Sequence, residues 1–99
     1  MTRYVAKKDA NHTDIVGKLE KCGLHVADTS KLGFGFPDLV VTGYNRKADR
    51  VMALLVEVKG DKGKLTDHEK NFFEKYPEDG PLIVAREAED VLRWFGVTL

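Results

Sequence analysis

The sequence predicts an α/β fold in the order α-β-β-β-α-β-α: a central mixed sheet flanked by helices, with a hairpin at its heart and an extra C-terminal helix. Two observations carry this expectation. Runs at 24–28, 38–44, 51–59 and 81–85 are apolar or alternating, rich in β-branched residues, and of strand length. Between and around them, three stretches place apolar residues at helical spacing, two of them behind a residue that can cap a helix.

Each element has its own local reason. Asn11 can cap a helix over 12–22, with Asp14 favouring its start and Gly23 ending it. Ile15, Val16, Leu19 and Cys22 form its apolar stripe. "LHVAD" (24–28) alternates as a short strand, and "TSKLGFGFP" is loop. "DLVVTGY" (38–44) and "VMALLVEVK" (51–59) are strands joined through the turn "NRKAD" (45–49). The second of them is long and nearly all apolar, which suits the middle of a sheet. After the loop "GDKGK", Thr66 and Glu69 form a T-x-x-E capping box for a helix of about ten residues with Phe72, Phe73 and Tyr76 inward. "PLIVA" (81–85) is a further strand. "EAEDVLRWFG" (87–96) is a final helix with Ala88, Val91, Leu92 and Phe95 inward.

Composition bounds the function. The 99 residues suit one domain with one modest core, and 42% hydrophobic with 32% charged residues is ordinary globular usage. No apolar run approaches the roughly 20 residues that span a bilayer. "MTRYVAKKDAN" has no apolar h-region, so no secretory signal is expected. Cys22 is the only cysteine, which excludes an internal disulfide and a cysteine zinc cluster and makes the cytoplasm the expected location. Net charge is zero, yet residues 1–64 carry 12 Lys/Arg against 8 Asp/Glu, and residues 65–99 carry 4 against 8. A basic half can follow a phosphate backbone while an acidic half faces away or meets another subunit; a scatter of solvated charge explains the same numbers.

Glu57 and Lys59 interrupt the most apolar strand at i and i+2, so both project from one face while Val56 and Val58 project from the other. A carboxylate and an ammonium on a central strand are costly unless paired or bound to an ion. A structural salt bridge would explain those two alone. Asp38 begins the neighbouring strand, and a hairpin can bring it level with Glu57. Two adjacent carboxylates repel unless a cation lies between them, and an oxygen-only donor set suits Mg²⁺.

"PD" at 37–38, followed after 18 intervening residues by "EVK" at 57–59, resembles the PD-(D/E)xK nuclease superfamily. The lead-in "GFGFPDLVV" and the following "GKLTDHEKNFF" are most similar to its virus-type replication–repair nuclease (VRR-NUC) branch, stand-alone proteins often encoded by phages. The likeness runs from "DANHTDIVGKLEKCG" to the last helix. It implies a restriction-endonuclease-like αβββαβ core and a Mg²⁺-dependent DNA endonuclease, with Mn²⁺ as a substitute. It implies Asp38 and Glu57 as metal-binding carboxylates, the Val58 backbone carbonyl completing the site, and Lys59 positioning the attacking water and stabilising charge on the phosphate. Branched substrates such as junctions or flaps, roles in replication, repair or recombination, and homodimers are implied too. The family usually has a Glu or Gln early in the first helix. Here the candidate is His12, because steps of 3, 4 and 7 from it reach Ile15, Val16 and Leu19 on the inward stripe. The Gln common after the third strand has Glu69 as its counterpart, which the capping box already explains.

A rival from another class is a non-catalytic module that keeps the fold and binds DNA or a protein partner, and His12 in place of Glu or Gln keeps it open. Gly33-x-Gly35 precedes a strand rather than a helix, so it fails as a dinucleotide loop. His12, His25 and His68 lack zinc-ligand spacing, and His25 reads as a surface residue. Trp94 serves either packing or a subunit interface. Lys31, Lys62 and Lys64 lie on loops flanking the site, as solvated charge or as phosphate contacts.

Overall fold

The computed structural model describes residues 11–98; most of the stretch read for a secretory signal lies outside them. The elements are α1 (His12–Lys21), β1 (His25–Asp28), β2 (Leu39–Asn45), β3 (Arg50–Val58), α2 (Asp67–Glu74), β4 (Leu82–Ala85) and α3 (Ala88–Trp94). The strands form one sheet in the order β1-β2-β3-β4, antiparallel except for the parallel β3–β4 pair. A parallel neighbour cannot be reached by a tight turn, and α2 lies within the crossover that joins β3 to β4. The mixed sheet with its central hairpin is the architecture expected, and every boundary falls within a residue or two of the sequence reading.

One face of the sheet holds the core. Leu39 and Val41 of β2 stand opposite Val56 and Leu54 of β3, and all four are fully buried. Ile15 and Leu19 of α1 and Val91, Leu92 and Phe95 from α3 and its C-cap close over them. Each such side chain contributes about 1.5–3 kcal/mol by leaving water. Cys22 does not extend the α1 stripe: it sits at the helix C-cap, where the chain turns away, and is exposed. His12 does belong to the buried face.

The hairpin is closed by Asn45, which is buried in its turn. Its Oδ1 accepts the N–H groups of Lys47 and Ala48, and its Nδ2 donates to the Trp94 carbonyl at 3.0 Å. The Arg46 N–H donates to the Phe95 carbonyl at 2.8 Å. Gly96 lies so close that a Cβ there would stand 3.1 Å from the Lys47 backbone nitrogen. The hairpin tip is therefore joined to the end of α3. Trp94 is half-buried and packs edge-on against Phe95. No helix among the described residues is long and apolar enough to cross a membrane.

Candidate active site

The antiparallel register does the first part of the assembly. Leu39 pairs with Val56, so the next positions outward, Asp38 and Glu57, face each other across the two central strands. Pro37 is fully buried and fixes the approach to β2. Asp38 is held at its oxygen: the Val58 N–H donates to Oδ2 at 2.9 Å. The residue expected to offer its carbonyl to an ion thus also orients the carboxylate opposite.

Glu57 is 2% exposed, and its Oε1 is buried without a hydrogen-bond partner. Burial, reinforced by the neighbouring Asp38 charge and by Glu69, pushes its carboxyl from 4.5 up to about 9. Lys59 lies beside it, with Nζ 3.7 Å from Glu57 Oε2 and 2.8 Å from Glu69 Oε1. The Lys59 backbone is fixed at both ends: its N–H donates to the Ala85 carbonyl at 3.0 Å, and its carbonyl accepts from Asn11 Nδ2 at 3.1 Å.

Glu69 has two tasks. The capping box forms as the sequence predicts, with the Glu69 N–H donating to Thr66 Oγ1 and the Thr66 N–H donating to Glu69 Oε1. The same Oε1 takes the ion pair with Lys59. Burial works against its ionisation, but Lys59, the Thr66 N–H and Glu57 together hold its carboxyl below the usual range. The cap therefore positions an anion for the lysine, so the residue set aside in the sequence as a cap also contacts the site.

Asn11 and Arg86 are further positioning residues. Asn11 stands at the N-cap of α1 but makes no side-chain cap; its Nδ2 donates instead to the carbonyls of Lys59 and Arg86. Arg86 follows β4, and its guanidinium donates to the carbonyls of Gly60 and Gly63. It thereby holds the loop that carries Lys62 and Lys64, both exposed, as is Lys31 on the other flanking loop. An N-cap preference and a lone arginine give no sequence signal for such long-range bonds.

His12 is buried one residue after Asn11, and its Nε2, without a hydrogen-bond partner, lies 3.9 Å from Asp28 Oδ2 at the end of β1. His25 and His68 are exposed.

The donor chemistry fits a hard divalent cation. Two facing carboxylates, one with a buried oxygen lacking any partner, are the oxygen set that Mg²⁺ takes. No three His, Cys, Asp or Glu side chains among the described residues are grouped to hold an ion by themselves. An ion here would draw on Asp38, Glu57, the Val58 carbonyl and water, as Mg²⁺ ordinarily does.

In comparison with protein families, the family model for the VRR-NUC domain matches residues 6–86, a range that takes in Asp38, Glu57, Lys59 and Glu69. No curated protein and no solved structure matches the chain.

Proposed function

The chain belongs to the VRR-NUC family of PD-(D/E)xK-type nucleases, and on that premise we propose that it is a Mg²⁺-dependent endonuclease that hydrolyses phosphodiester bonds in branched DNA. One arrangement carries the reading: the Asp38 and Glu57 carboxylates face each other while Lys59, pinned by Glu69, stands beside them. When bound, Mg²⁺ supplies Lewis-acid polarisation of the phosphate and a lowered pKa for its water.

The protein's own groups supply the rest. Asp38 and Glu57 bind and orient the ion. Lys59 keeps a charged ammonium at a fixed position because its backbone is bonded on both sides and Glu69 balances its charge. A preorganised cation of this kind stabilises negative charge as it develops on the phosphoryl oxygens, and its donors can orient a water for attack. Lys31, Lys62 and Lys64 contact backbone phosphates, with Arg86 keeping the latter two in place.

Junction or flap substrates, and work in phage replication, repair or recombination within the host cytoplasm, follow from the family resemblance. So does a homodimer: cutting two strands symmetrically needs two centres, which a two-fold pair supplies. The deciding experiment is cleavage of a panel of duplex, flap and four-way-junction DNAs with Mg²⁺, Mn²⁺ and EDTA, with light scattering at the assay concentration. Structure-selective, metal-dependent cleavage by a dimer is the expected result. DNA binding without cleavage under any divalent ion would overturn the catalytic reading in favour of the inactive module. A monomer with activity linear in protein would overturn the dimer.

A further inference from the structure

The loop before Asp38 presents one aromatic ring to solvent in a manner that packing does not explain. Phe34 is 90% exposed, the most exposed large hydrophobic among the described residues, and it adopts a left-handed backbone conformation with φ 55°. A bulky side chain in that region is unfavourable and persists only where the surroundings impose it. Here they do. The flanking Gly33 and Gly35 also have positive φ, at 73° and 82°. Gly35 is pressed onto the start of α2, where a Cβ would stand 2.4 Å from the His68 carbonyl oxygen. Phe36 packs edge-on against Phe72 of α2, and its N–H donates to the Gly33 carbonyl at 3.0 Å.

The base of the loop is equally fixed. Thr29 donates from its N–H to the Asp38 carbonyl at 2.7 Å and from Oγ1 to the Pro37 carbonyl at 2.7 Å. Ser30 donates from both N–H and Oγ to Asp28 Oδ1. A loop tied at its base and along α2 spends its rigidity on holding the Phe34 ring in water. Phe34 is four residues from Asp38, so their Cα atoms are at most about 14 Å apart. That distance is about four base steps along a DNA strand. Nucleobases present flat faces that stack on exposed aromatic side chains regardless of sequence.

Resting on the nuclease reading above, we propose that Phe34 is a base-stacking residue: its ring takes the face of an unpaired nucleobase within about four nucleotides of the scissile phosphate and so selects DNA with unstacked bases. Neighbouring Leu32, 58% exposed, adds apolar surface at the same loop tip. The ring is a binding and specificity element, outside the chemistry of Asp38, Glu57 and Lys59.

The test compares wild type with Phe34→Asn, which keeps a residue tolerant of the left-handed backbone but removes the ring, and Phe34→Trp, which retains an aromatic face. Binding is measured in Ca²⁺ to a flap oligonucleotide with 2-aminopurine at each position near the branch, and to a fully paired duplex. Phe34→Asn should weaken flap binding by about fivefold to a hundredfold, abolish the stacking-induced quenching at one or two positions, and leave duplex binding nearly unchanged. Phe34→Trp should restore both. Wild-type binding and quenching that Phe34→Asn leaves intact would overturn this inference alone. Wild-type protein that neither binds nor cuts any of the DNAs would overturn the nuclease reading along with it. A loss of dimer in Phe34→Asn with flap binding intact would assign the ring to a protein interface and overturn the stacking role.

Discussion

Glu57 buries a carboxylate at the sheet centre without full compensation, and replacing it with Gln should therefore stabilise the fold. In the folded chain, burial and the neighbouring Asp38 charge push its carboxyl from 4.5 up to about 9. Between those values the folded state holds a proton that the unfolded state has released. Stability consequently falls as pH rises through that window, and the contribution is fully present only below about 4.5. At pH 7 the mismatch of about 2.5 pH units corresponds to at most about 3.5 kcal/mol, at roughly 1.4 kcal/mol per unit. For a domain of this size that amounts to a rise in Tm on the order of 10 °C in Glu57→Gln. The assay is thermal denaturation in EDTA at pH 4.5, 7 and 8, then with Mg²⁺. The gain should be absent at pH 4.5, grow with pH, and shrink on adding Mg²⁺, because wild type gains from binding an ion that the variant holds poorly. A variant that melts at or below wild type in EDTA at pH 8 would refute the assignment of Glu57 as a strained, ion-seeking carboxylate.

Three further outcomes follow from the same geometry. Lys59→Met should retain the Mg²⁺-induced rise in Tm but lose about 10²–10³ in cleavage rate, as measured by single-turnover kinetics, since one preorganised cation is removed. Glu69→Ala should lose both the cap and the lysine's partner: about 1 kcal/mol of stability by urea denaturation, together with reduced cleavage. Replacing Lys62 and Lys64 together with Ala should weaken binding to all DNAs alike, and the slope of log K against log salt should flatten by about 2.

The central part of the site could be read from the chain because it follows from the strictest geometry in a sheet. Alternation fixes which face Glu57 and Lys59 share, and a four-residue turn sets Asp38 against Glu57. His12 could be placed inward by helical periodicity for the same reason. Periodicity says nothing of partners across the fold. Asn11 has the composition of a cap and acts instead as a tether between chain segments 48 and 75 residues away. Glu69 stands where the family resemblance places a Gln, but it satisfies a local motif completely, and that motif hid its contact with Lys59. Cys22 continues the apolar spacing of α1 in sequence, but the helix ends before it and the spacing no longer governs its direction.

The bond between the hairpin tip and the end of α3 has a consequence at the opposite end of the sheet. Asp38 meets Glu57 only if β2 and β3 pair without slippage, since a shift of one residue would turn Asp38 to the other face. The turn that sets this alignment is anchored to the carbonyls of Trp94 and Phe95. Those residues lie beyond the 6–86 segment matched by the family model. The last helix therefore works as a register pin. A chain cut after residue 86 would retain every proposed catalytic group and lose the fastening that keeps two of them face to face.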